Sequence, residues 1–448
     1  MCSPQQFCSV ERMRRHWGVS EHVNNSSVFQ VGDGDNFTLD DNEFKVQHLE
    51  TQNDVEQHLQ LMREVFGANS RVDLMVKKLI DHHPTISLHD FFIIKHQGKI
   101  VAALNTIPSK WSVDDVTLNV AELACVATLP EYRNIGLQRR LMKEYHKQIM
   151  EQQYDLSVIE GIPYYYRQFG YEYALPLDEQ TRTNIERIPM FEVNHVIRPF
   201  TGKDFQTAKR LFEASQRKFL VHGVRVEGFW KMLQETGMIA ERPFERFVVE
   251  KKGVEIANFA ISEDAEAKEL LLKEITDVDE DAAKSTLAFI KKRGEQKGLS
   301  TLVAMVSNSE FFADMMVKLC GATKNRPYAW QIRIMDHAKL LRKMKPLLQK
   351  RLAASPHSSL TEKLNLNFYS FTVRLNVENG TIQDVSFQKA CEDNNIRFNP
   401  FVFVQLVLGY RSREELESIY PDFLVRQNHK GIVDTLFPKL SSYIQTEC

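Results

Sequence analysis

One stretch of this chain is written twice, and that constrains the fold more than any other feature. DFFIIKHQGKIVAAL, from Asp90, is echoed by ERFVVEKKGVEIANF, from Glu245. Aligning Gly98 with Gly253 lays Phe92, Ile93 and Ile94 over Phe247, Val248 and Val249. Each copy reads as a hairpin with its glycine in the turn. The helices that open the two copies also agree: Thr51 and Asp54 pair with Thr201 and Asp204, three apart in each case. An ordered match of strand, helix and hairpin points to duplication, so residues 195–335 are expected to repeat the domain that precedes them.

The length fits such a plan, since 448 residues at roughly 100–200 per domain give two to four domains. Residues 1–42 are polar and without period, and VGDGDNFTLDDN within them reads as linker, so a flexible N-terminal tail is expected there. Residues 43–194 form the first domain. EFKVQHLE reads as a strand, and Val55, Leu59, Met62 and Phe66 recur at helical spacing. The hairpin follows, then the strand LNVAELACVA, then a helix over Leu137–Met150 with Leu137, Leu141, Tyr145 and Ile149 on one face, then the short strand YDLSVIEG. The order β-α-α-β-β-β-α-β is that of a mixed α/β domain. Residues 336–448 have a different pattern. The basic amphipathic helix HAKLLRKMKPLLQKRL precedes strands near NFYSFTVRLNV and TIQDVSF and helices near PFVFVQLVLGY and SREELESIY, so a separate α+β domain is expected.

Charge excludes some partners. With 57 basic and 59 acidic side chains the net charge is −2, too little for a global field that would draw nucleic acid or an anionic membrane. No apolar run approaches the roughly 18 residues that span a bilayer. Six cysteines show no CxxC spacing and no histidine pair to complete a metal pattern, so no metal is expected and the thiols read as free in a reducing, cytoplasmic compartment.

The informative segment is ELACVATLPEYRNIGLQRRL, from Glu122 to Leu141: a strand, a short loop with Arg133 and Gly136, then a helix. A helix N-terminus presents unpaired N–H groups and a partial positive charge. A loop that turns those groups inward suits a pyrophosphate, with Gly136 allowing close approach and Arg133, Arg139 and Arg140 adding charge. An ordinary strand–turn–helix with solvated arginines fits the same residues. YYYRQFGYEY, Tyr164 to Tyr173, follows YDLSVIEG. A phenol there can protonate a leaving thiolate in a dry pocket, or the cluster can simply pack between helix and sheet.

Together these motifs resemble the acetyl-CoA site of the Gcn5-related N-acetyltransferase (GNAT) superfamily, whose Q/R-x-x-G-x-G/A loop cradles the pyrophosphate. Here it reads Arg133, Asn134, Ile135, Gly136, Leu137 and Gln138, with Gln138 in place of glycine or alanine. The resemblance implies that Cys125, Val126 and Ala127 pair with the pantetheine arm and supply an oxyanion donor. It also implies that Tyr166, four residues before Gly170, is the general acid. Over residues 43–448 the chain further resembles the enhanced intracellular survival (Eis) acetyltransferases. The tail segments LVLGYRSREEL, YPDF and LFPKL carry much of that likeness. This implies two tandem GNAT folds, the second degenerate, and a sterol-carrier-protein-like α+β domain. It also implies a homo-oligomer and, as base, the α-carboxylate of Cys448.

The activity so implied is acetyl transfer from acetyl-CoA to a primary amine: a polyamine, an aminoglycoside-like molecule or a lysine side chain. Glu122, four residues before Val126, is the rival base, and is equally readable as a solvated or paired strand carboxylate. The second repeat lacks the loop's arginine and glycine. Asp277, Asp279, Glu280 and Asp281 crowd its helix start, where carboxylates suit the dipole but repel a pyrophosphate. That repeat is expected to bind no acetyl-CoA and to shape the acceptor cleft. The other function class compatible with the chain is a non-catalytic lipid-binding or scaffold protein. PFVFVQLVL is then a tunnel lining, or else an ordinary core helix.

Overall fold

The structure, a computed structural model, describes residues 43–389 and 394–445. The expected N-terminal tail lies outside the described residues. The first sheet is built from β1 (Val46–His48), β2 (Phe91–His96), β3 (Lys99–Val113), β4 (Val116–Thr128), β5 (Leu156–Ile159) and β6 (Glu172–Leu177), with helices α1 (Gln52–Phe66), α2 (Val72–His82) and α3 (Leu137–Glu151). Helix α1 starts at a capping box: Asp54 N–H donates to Thr51 Oγ1 at 3.1 Å and Thr51 N–H donates to Asp54 Oδ2 at 3.2 Å. Its Val55, Leu59, Met62 and Phe66 are buried, as are Leu137, Leu141, Tyr145 and Ile149 of α3. The β2–β3 turn places Gln97 at φ 49° and Gly98 at φ 78°, the left-handed pair that a tight hairpin turn needs.

The second sheet repeats these devices. Its hairpin strands, Glu245–Lys251 and Val254–Asp264, turn through Lys252 at φ 53° and Gly253 at φ 77°. Thr201 and Asp204 form the matching capping box. A cation secures the capping aspartate in each copy, Lys95 on Asp54 at 2.6 Å and Arg198 on Asp204 at 2.7 Å. The duplication read from the sequence thus extends to cap and counter-ion.

The sheets nevertheless exchange strands across positions 194 and 335, where the sequence reading divides the chain. Tyr328–Ile334 inserts between β5 and β6 of the first sheet, and Thr181–Asn184 joins the second sheet beside Thr301–Ala304. Nothing in a short alternating strand states which sheet it will join, because either sheet satisfies its hydrogen bonds and buries its apolar face.

The third region has a five-stranded sheet, including Glu362–Asn367, Phe371–Glu378 and Thr381–Lys389, flanked by the helix His337–Ala353. It shares one hydrophobic core with the first sheet: Trp111, Val120, Val158 and Trp330 pack in the same cluster as Leu341 and Phe403. Helices α1 and α3 cover the opposite face. Within PFVFVQLVL, residues 402–408 are buried, and Phe403 packs on Phe368, Phe398 and Phe437. This segment is core rather than tunnel wall. Among the described residues no helix is long and apolar enough to cross a membrane, and no side-chain group is arranged to hold a metal.

Candidate active site

The site begins where two parallel strands part. Strands β4 and β5 pair through Val120↔Leu156, Ala121↔Ser157 and Glu122↔Val158, and there the pairing ends. On its other edge β4 stays paired with β3 as far as Thr128, through a register shift opposite Ala103–Asn105. Cys125 sits at that irregularity with φ 51°, the left-handed conformation typical of a bulge residue. From Leu123 onward β4 therefore offers one main-chain edge with no strand against it among the described residues. Cys125 is buried, and burial, with the Glu122 charge adding, pushes its thiol up to about 12. It stays neutral. Val126 is half-buried and Ala127 buried.

That open edge leads into the loop and α3. Asn134 has φ 65° and Gly136, the residue before the helix, φ 88°. Left-handed residues at a helix start are the backbone pattern from which anion-binding concavities are made. Arg133 and Asn134 are exposed, Ile135 is half-buried and Leu137 is anchored in the core. Arg133 Nε donates to Thr128 O at 3.3 Å. Gln138, the departure from the superfamily pattern, is used as a staple. Its Nε2 donates to Ala127 O at 2.8 Å, to Thr128 Oγ1 at 2.9 Å and to Ala103 O at 3.3 Å. With this side chain held on the strands and Gly136 left-handed at the helix start, the residues present fit a pyrophosphate.

Tyr166 lies just past β5 and is 5% exposed. Its ring covers Gly161 so closely that a Cβ there would stand 2.4 Å from Cδ2. Gln331, on the exchanged strand, fixes this turn by donating from Nε2 to Gly161 O at 2.8 Å and Ile162 O at 3.1 Å. Burial, reinforced by Tyr165 and Tyr171, raises the Tyr166 phenol well above its ordinary range, so it remains a proton donor. Tyr164 is 77% exposed and Tyr165 half-buried. Of the three adjacent tyrosines, only Tyr166 is enclosed.

Glu122, the last β4 residue paired to β5, lines a cavity of about 460 Å³. Trp111 and Asp90 from the first repeat, Phe229 from the second, and Ile444 and Gln445 from the tail share its wall. The second repeat thus contributes wall residues to this cavity. Cys448 lies outside the described residues. Sequence reasoning missed Glu160, one residue beyond β5. Burial raises its carboxyl well above the usual range, Asp178, Glu122 and Glu241 add to that, and Lys273 opposes it. Its Oε1 is buried without a hydrogen-bond partner. The available signal was a carboxylate ending an otherwise apolar strand, LSVIE.

Residues 47–174 match the acetyltransferase (GNAT) domain family. Solved structures share the architecture. A GCN5-related N-acetyltransferase from Anabaena variabilis aligns at TM-score 0.65 with 17% identity, covering 90% of this chain and 99% of that one. A protein from Enterococcus faecalis described as a probable N-acyltransferase aligns at 0.67 with 18% identity, covering 90% and 99%. Eis1 from Mycobacterium abscessus aligns at 0.58 with 12% identity, covering 90% and 100%. At these identities the likeness is one of fold. No curated protein matches the sequence. The family match places a GNAT acetyltransferase domain around the split strands. The chain is an N-acetyltransferase, and acetyl-CoA is its co-substrate.

Proposed function

We propose that the enzyme transfers the acetyl group of acetyl-CoA directly to a primary amine at the mouth of the β4–β5 split. The amine belongs to a polyamine, an aminoglycoside-like molecule or a lysine side chain. One observation carries this reading: the open edge from Leu123 to Thr128, which runs to the start of α3, and the cavity bounded by Glu122 meet on a single strand.

In this reading the main-chain N–H groups of Asn134, Ile135, Gly136, Leu137 and Gln138 hold the pyrophosphate, with Arg133 adding charge. Cys125, Val126 and Ala127 pair with the pantetheine arm, and an N–H of that segment faces the carbonyl oxygen as it gains charge. The amine must lose a proton to attack, and a lysine-like ammonium has a pKa near ~10.4, so fewer than about one in a thousand is neutral at pH 7. Glu122 is one carboxylate able to take that proton. The α-carboxylate of Cys448, three residues beyond the cavity-lining Gln445, is the other. Asp178 and Glu241, whose charges act on the neutral Glu160 carboxyl alongside Glu122, add negative potential that favours a cationic acceptor. Tyr166 donates its proton to the departing thiolate. The acid-capped start of the second repeat's helix, with Asp279 accepting from Ala282 N–H at 2.8 Å, suits the reading that this repeat binds no acetyl-CoA. We read the third region as sterol-carrier-protein-like, the assembly as a homo-oligomer and the compartment as cytoplasmic, in line with the Eis-like resemblance.

Thiol release from acetyl-CoA with a panel of primary amines tests the reaction. Transfer to at least one class is the expected result, and silence across the panel would remove it. Comparing Glu122→Gln with a chain lacking Cys448 assigns the base: the variant that slows kcat without weakening acetyl-CoA binding identifies it.

A further inference from the structure

The second repeat has its own strand split, and the chain's tail fills it. Glu269–Ile275 and Thr301–Ala304 pair in parallel from Glu269↔Thr301 to Leu272↔Ala304 and then part, as β4 and β5 do after Glu122↔Val158. Met305 N–H still donates to Leu272 O at 2.8 Å. In a parallel ladder the next acceptor would be the Met305 carbonyl. That carbonyl accepts the Tyr443 hydroxyl at 2.9 Å. On the other side of the split, Gln445 Nε2 donates to Lys273 O at 2.9 Å. Lys273 falls at the register shift between this strand and Val254–Asp264.

The tail is tied to the first sheet as well. Leu220 N–H donates to Ser441 O at 2.7 Å and Tyr443 N–H to Val221 O at 2.9 Å. Val221–Gly223 is itself paired with Trp111–Val113 of β3. Tyr443, Ile444 and Gln445 are all buried. Ile444 and Gln445 then form part of the cavity wall that also contains Glu122.

We propose that the degenerate repeat's strand split is a clamp for the C-terminal segment. Tyr443 and Gln445 act as positioning residues that hold Ile444–Gln445 as a wall of the acceptor cavity. A slot that takes a pantetheine arm in a working copy of the fold here takes two side chains of the same polypeptide. They use main-chain acceptors that the parting strands leave at the mouth. The cavity role rests on the acyl-transfer reading above; the clamp itself does not.

The experiment uses the full chain carrying Tyr443→Phe, Gln445→Ala, or both. Hydrogen exchange at the Tyr443 amide reports the clamp without any substrate. Separate KM values for the amine and for acetyl-CoA report the cavity role. Losing one net hydrogen bond corresponds to about a fivefold effect. Exchange is therefore expected to quicken about fivefold in each single variant and further in the double. The amine KM should rise by a similar factor, with the acetyl-CoA KM unchanged. Tyr443→Phe keeps the ring that packs on Phe219, so its effect isolates the hydroxyl. Unchanged exchange in the double variant would overturn the clamp. Faster exchange with an unchanged amine KM would overturn the cavity role.

Discussion

Tyr166→Phe is expected to lower kcat by about 10²–10³-fold, the usual effect of removing one donor from a developing anion in a dry site, while acetyl-CoA affinity stays within about twofold. The phenylalanine keeps the ring over Gly161, so packing survives and only the hydroxyl is lost. Burial raises the phenol well above its ordinary pKa, which by itself makes it a poorer acid. A thiolate leaving inside the same enclosed space is penalised by the same desolvation, so the two acidities rise together and the proton still has a destination. Stopped-flow and steady-state thiol release separate the chemical step from binding. A variant with wild-type kcat would pass the acid role to Tyr165 or to solvent.

The second large effect is expected on stability. Arg225 is 1% exposed and donates to Glu274 at 2.6 Å, and Arg246 donates to the other oxygen at 2.5 Å. The Arg225 guanidinium also lies over the rings of Phe212, at 4.1 Å, and Trp230, at 4.5 Å. Burial alone would raise the Glu274 carboxyl; the two arginines overcome it and hold it down to about 2. Arg225→Met leaves a buried carboxylate half-compensated, which costs about 3–5 kcal/mol. At neutral pH this should lower the thermal midpoint of the affected unit by about 6 °C or more. The sign of the pH dependence follows from the depressed pKa. The contribution is complete above the unfolded value near ~4.3 and is lost as pH falls towards about 2. The gap between wild type and variant should therefore narrow as the solution is acidified below about pH 4. Equal midpoints at pH 7 would show that the cluster is not the compensated pair its geometry describes.

Local chemistry was legible in the sequence wherever it repeats. The Gly98 and Gly253 turns, the Thr51 and Thr201 helix starts, and the buried stripe of Leu137, Leu141, Tyr145 and Ile149 all occupy the places their spacing predicts. Long-range partner choice was not legible. The strands Tyr328–Ile334 and Thr181–Asn184 carry no local mark of their exchange between sheets. Yet Gln331 on one of them holds the turn beneath Tyr166. Glu160 escaped notice because its character comes from burial and from Asp178 and Glu122, not from its neighbours in the chain. The role of Gln138, in place of glycine or alanine, depends on three acceptors that lie on strands far from it in sequence or on the preceding strand end.

The central claim is that the Asn134–Gln138 main chain grips a pyrophosphate. Calorimetric titration of acetyl-CoA against the wild type and an Arg133→Glu, Gly136→Asp double variant tests it most directly. Each substitution puts a carboxylate where the loop should meet an anion, and together they are expected to weaken binding by about a hundredfold. Equal affinity in the two proteins would contradict the account.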